Sequence, residues 1–132
     1  MIQANNPAGS YRTQFTSRTE TAEADLSLAK GGGGQGFGPH ELIEAGLATC
    51  MVITARMYAV EHHWPLEDAR CQVRIEKNAT GDITFVYSLE LTGLSSEQQQ
   101  KILALMSHCP VARTLSKPAT LQLENPTNPE QS

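Results

Sequence analysis

The chain has 132 residues, 39% apolar and 18% charged, with a formal net charge of −4. That length suits one domain, near the size at which association helps a core, and the composition excludes disorder throughout. No cluster of Lys or Arg stands out against the acidic balance, which excludes a nucleic-acid surface.

Residues 1–9 read as a loose leader. They carry no apolar h-region, so no secretory signal is expected. Between Tyr11 and Leu28 the Thr-rich, loosely alternating sequence predicts two polar strands, roughly 10–17 and 20–28, each covering a core on one side only. The run Gly31-Gly32-Gly33-Gly34-Gln35-Gly36-Phe37-Gly38-Pro39 predicts a mobile lid or a turn beside a pocket. It contains a formal Gly-x-Gly-x-x-Gly, but the preceding strand is polar and the position about 20 residues on falls inside a helix, so the dinucleotide reading is rejected.

Pro39 suits the first turn of a helix, predicted over roughly 39–62. Leu42, Ile43, Ala45, Leu47, Ala48, Met51, Val52, Ile53, Ala55 and Met57 make it apolar nearly all round, which calls for burial on every side by sheet or by a partner chain. Glu44 and Arg56 interrupt the stretch, so it is not read as a membrane span, and a soluble cytoplasmic chain is expected. Trp64-Pro65 ends the helix. Alternation predicts strands over 70–77 and 83–91, joined by a hairpin turn at 78–82. Ser95 and Gln98, with Ser96 and Gln99 as the alternative pair, form a capping box for a further helix whose core face is Ile102, Leu105 and Met106 and which ends near Ser107. A short helix starts at Cys109-Pro110, a last strand spans 119–124, and 125–132 reads as a loose tail.

Three cysteines are an odd number and a poor disulfide framework. In a reducing compartment they are more often catalytic, redox-sensing, metal-binding or simply buried. Cys50 sits mid-helix, and taken alone it is more often structural, because an apolar site raises a thiol pKa. Cys109 precedes Pro110 and is therefore an N-cap, where the helix dipole and free N–H groups favour a thiolate; its bland alternative is a capping thiol without chemistry. Cys71 falls on an alternating strand and reads as core. His62 and His63 point in different directions at a helix C-terminus, which argues against a paired zinc site.

Three blocks resemble the OsmC/Ohr family: the glycine loop running into Gly38-Pro39-His40-Glu41-Leu42-Ile43, the helix Ala45-Gly46-Leu47-Ala48-Thr49-Cys50, and Cys109-Pro110-Val111. The resemblance spans roughly residues 10–124 and makes residues 1–132 one domain of that kind. It implies an α+β fold in which a curved, mostly antiparallel sheet wraps a long central helix, completed as an intertwined homodimer with two sites at the interface.

It also implies a thiol peroxidase of organic hydroperoxides, in which Cys50 attacks the peroxide and Cys109 resolves it, a dithiol restores both, and an arginine, Arg12 or Arg18, holds the Cys50 thiolate. Phe37, His40, Leu47 and Met51 are the expected substrate pocket. No metal, flavin or nucleotide is implied. The chain departs from the peroxidase pattern at His40, where a glutamate usually holds the arginine; Glu41 is then expected to take that role. His40 favours an alternative, a non-enzymatic binding or redox-sensing module for an apolar small molecule. A Cys-His hydrolase is a third reading.

Overall fold

Backbone pairing divides the strands into two antiparallel sheets rather than one. The computed structural model describes residues 1–124. The first sheet holds β1 (Gln3–Asn5), β2 (Thr13–Ser17) and β3 (Glu20–Ala24) in that order. β1 lies in the expected leader: backbone hydrogen bonds along β2, with Gln3 opposite Thr16 and Asn5 opposite Gln14, order a segment whose side chains carry no alternating signal. Arg18 occupies the tight β2–β3 turn with φ +53°.

The glycine run forms a turn beside a cavity, tied down by one carboxylate. Asp25 is buried at 7% exposure, and its carboxylate accepts the N–H groups of Leu26 (2.7 Å), Gly33 (3.2 Å) and Gln35 (3.2 Å). Gly36, at φ +102°, lies so close to β3 that a Cβ there would stand 2.5 Å from the Glu23 carbonyl oxygen. Phe37 then pairs with β3, its N–H donating to Glu23 and its carbonyl accepting from Asp25, each at 3.0 Å.

The long helix α1 (Pro39–Glu61) follows, with Pro39 in its first turn. It is long and apolar enough to cross a membrane by composition, yet one of its faces is packed within the fold. That face repeats every four residues: Leu47, Met51, Ala55 and Ala59 are buried. Ala55 and Ala59, both at 0% exposure, lie on the face that packs against β4 (Asp68–Lys77). Burial on every side is not achieved within the chain, because Ile43, Ile53, Met57 and Val60 remain exposed. Two polar strands in a separate sheet do not reach them. At the helix end His62 stacks on Tyr58, with ring centroids 4.0 Å apart, and Trp64 meets Tyr58 edge-on.

β4 and β5 (Ile83–Thr92) pair along their whole length, from Asp68 opposite Thr92 to Lys77 opposite Ile83. The row Ala69, Cys71, Val73, Ile75 is the more buried face of β4, as alternation predicts. Glu44 of α1 accepts the Ile75 backbone N–H at 2.9 Å, tying helix to strand. α2 (Ser96–Leu103) begins with the predicted capping box: the Ser95 hydroxyl accepts from Gln98 N–H, and the Gln98 side chain accepts from Ser95 N–H. It ends four residues earlier than the pattern suggests. The chain tightens to i→i+3 bonds through Met106–His108, which leaves Ile102 and Met106 both fully buried.

Cys109 then caps α3 (Pro110–Leu115). The last strand expected over 119–124 does not form. The segment pairs with no strand of its own chain, and Leu121 and Leu123 stand exposed. The expected tail over 125–132 lies outside the described residues.

The buried Asp25 yields a stability prediction. Asp25→Ala leaves the Gly33 and Gln35 amides without their acceptor, and hydrogen bonds to a charged group contribute about 1.5–3 kcal/mol each. Urea unfolding is expected to show a loss of about 2 kcal/mol, with faster hydrogen exchange at those two amides. Unchanged exchange would show that the carboxylate does not hold the turn.

Candidate functional site

The four-residue spacing that turns Met51 inward sets where Cys50 points. One residue earlier, Cys50 is rotated by about 100° around the helix. It is half-buried and packs against the same core cluster that contains Leu47, Met51, Ile102, Met106 and Cys109. Cys109 reaches that cluster from the other direction, at the N-cap of α3, and is only 2% exposed. The two thiols are neighbours, and both are free.

Their electrostatics differ from what the N-cap position alone suggests. Burial is the leading effect on Cys109 and raises its pKa above the ordinary thiol value. The Ala112 backbone amide lowers it, the Cys50 thiol raises it through hydrogen bonding and charge, and the Val111 amide lowers it. The helix N-terminus thus acts in the expected direction but loses to desolvation. Cys71 of β4 is also raised, first by burial and then by the charge of Cys109.

Phe37 and His40 lie at the glycine turn; Leu47 and Met51 lie in the core. Phe37 is 51% exposed, and His40 lines a cavity of about 310 Å³ with Asp25, Lys30, Glu41 and the glycines. Leu47 and Met51 line a different cavity of about 320 Å³ with Ile83, Phe85, Tyr87 and Leu115. Within one chain these four residues therefore do not form one pocket. A third, larger apolar cavity of about 660 Å³ lies between the first sheet and the start of α1, lined by Ile2, Tyr11, Phe15 and Leu42 among others.

Arg12 and Glu41 are engaged elsewhere, and Arg18 lies in a turn. Arg12 donates from Nε to Glu23 at 2.6 Å, across the first sheet. Arg18 stands in the β2–β3 turn. Among the described residues neither pairs with Glu41, whose carboxylate instead accepts the Gly38 N–H at 2.8 Å and so caps its own helix. That use had a sequence signal, since a glutamate three residues after the cap is the capping-box position. Two carboxylates were given no role by the sequence reading: Asp25, announced only by its place before a glycine run, and Glu44, visible only as a charge inside an apolar helix.

A family model described as OsmC-like protein matches residues 32–124. No curated protein sequence matches the chain. Solved structures that share the fold include the following three. One is an OsmC-like protein of Mycoplasma pneumoniae, 20% identical, covering 88% of this chain and 86% of that one, with a TM-score of 0.69. The second is an organic hydroperoxide resistance protein OsmC of Legionella pneumophila, 21% identical, covering 87% and 88%, with a TM-score of 0.62. The third is the organic hydroperoxide resistance protein OhrB of Bacillus subtilis, 20% identical, covering 86% and 89%, with a TM-score of 0.59.

The raised thiols give a pH prediction. A raised pKa leaves less thiolate at a given pH, and the thiolate is the form that alkylates. Iodoacetamide is expected to modify Cys71 and Cys109 slowly at neutral pH, with rates climbing only above the free-thiol pKa of about 8.5. In urea both should react like a free cysteine. Equal rates for Cys109 in the native and urea-treated protein at pH 7 would contradict control by burial.

Proposed function

The chain belongs to the OsmC-like family, and from that premise we propose that it is a thiol-dependent reductase of organic hydroperoxides acting in oxidative stress defence. The observation that carries this reading is the meeting of Cys50 and Cys109 in one core cluster. Two thiols from different elements, both free, form the smallest unit that can reduce a peroxide and store the result as a disulfide.

The Cys50 thiolate attacks the peroxide oxygen distal to the organic group. The O–O bond breaks, an alcohol leaves after taking up a proton, and Cys50 becomes a sulfenic acid. The Cys109 thiolate then attacks that sulfur, water leaves, and a Cys50–Cys109 disulfide forms. A dithiol reductant returns both to thiols by exchange. Movement falls to the Cys109 side: α3 is 6 residues long, whereas α1 is 23. In this reading the apolar cavity at Leu47, Met51, Ile83 and Phe85 takes the hydrocarbon part of the substrate, which favours organic over inorganic peroxide.

The working unit in this reading is an intertwined homodimer. Ile43, Ile53, Met57 and Val60 leave the outer side of α1 uncovered, and Leu121 and Leu123 stand free beyond α3. A partner copy covers such surface and can carry its own Arg12 or Arg18, with Phe37 and His40, to the thiol that these residues do not reach within one chain. Glu41 then orients that arginine with the carboxylate oxygen not bonded to Gly38.

One observation favours a second reading, a non-enzymatic binding or redox-sensing module. Arg12 and Glu41 are occupied by Glu23 and Gly38, and His40 stands where a carboxylate would grip an arginine. Stopped-flow mixing of the reduced protein with cumene hydroperoxide separates the two. The enzyme reading expects consumption at least tenfold faster than with hydrogen peroxide, and in Cys109→Ser a Cys50 sulfenic acid that dimedone traps. Oxidation of Cys109 with Cys50 untouched would leave the binding module in its place. Light scattering is expected to give a dimer at micromolar concentration; a stable monomer would remove the shared site.

A further inference from the structure

The peroxidase reading uses two of the three cysteines, and the third is not remote from them. Cys71 lies in the inward row of β4, and its Sγ is 3.9 Å from the thioether sulfur of Met51, the residue that follows Cys50. Cys50 and Cys71 both pack against the cluster in which Cys109 is buried. Cys71 thus touches Met51, and the three thiols, on α1, β4 and the cap of α3, pack into one core. Met51 is unbranched and flexible, a side chain that can give way where a branched one would not. Cys71 is partly exposed, whereas Cys109 is almost wholly enclosed.

We propose that Cys71 is a third redox-active thiol, which takes Cys109 over from the Cys50–Cys109 disulfide and frees Cys50 for a second turnover. The inference rests on the peroxidase reading for the first disulfide. The Cys71 thiolate, its proton lost to water, attacks the Cys109 sulfur. A Cys71–Cys109 bond forms, the Cys50–Cys109 bond breaks, and Cys50 leaves as thiolate. No oxidant is consumed in this exchange. The oxidising equivalents came from the organic hydroperoxide, and a dithiol reductant removes them later from the more exposed sulfur.

The test titrates reduced full-length protein with cumene hydroperoxide without added reductant, then maps cysteines by alkylation and mass spectrometry. The wild-type chain is expected to consume two equivalents, ending with a Cys71–Cys109 disulfide and a Cys50 sulfenic acid that dimedone traps. Cys71→Ser and Cys71→Ala are expected to stop at one equivalent, as the Cys50–Cys109 disulfide. The wild-type disulfide map stands independently of whether either variant folds. If the wild type stops at one equivalent with Cys71 alkylated, the inference is overturned and the peroxidase reading survives. If the first equivalent leaves Cys50 unoxidised, the peroxidase reading fails and the inference with it.

Discussion

The packing of α1 against β4 governs where everything else can be. Leu47, Met51, Ala55 and Ala59 give the helix one buried row, with two alanines on the face turned to the strand. Once that row is fixed, the 100° step per residue leaves no choice about the direction of Cys50. It turns toward the segment that carries Cys109. The chemistry thus inherits its geometry from side chains that take no part in it. A bulky residue at Ala55 or Ala59 would push the helix outward and shift Cys50 as well.

Much of this was legible beforehand, for identifiable reasons. α1 announced itself by Pro39, by a stretch without internal proline and by its apolar content. β4 and β5 announced themselves by strict alternation, and α2 by Ser95 and Gln98. In each case local chemistry and tertiary packing agree. The misses fall where they do not. β1 is held by backbone bonds to β2 and carries no side-chain pattern, so nothing in Gln3-Ala4-Asn5 could signal it. The segment 119–124 does alternate, but among the described residues it pairs with no strand. The apolar circumference of α1 was expected to be covered on every side, and the chain covers it on one side only.

The candidate site was less legible than the fold. Cys50 gave no reason of its own to be reactive, and its nearness to Cys109 came into view through resemblance rather than through spacing. Cys109 drew attention as an N-cap, but the N-cap argument counted the dipole and not the burial, and burial governs the direction of its shift. Glu41 was expected to hold an arginine while it holds the first turn of its own helix. A carboxylate near a helix N-terminus has that local use available before any distant partner arrives.

The bond from Ile75 N–H to Glu44 has a further consequence for the second sheet. An unpaired strand edge is a template onto which other strands can add, and native chains blunt such edges with charge. β4 is blunted from within: a helix carboxylate occupies a backbone donor that an incoming strand would need, and displacing it would strand a half-buried negative charge. Among the described residues no side-chain carboxylate meets a backbone donor along the free side of β5, so the two edges of this sheet are not equivalent, and a strand recruited to lengthen it meets less resistance beside β5 than at Ile75 of β4.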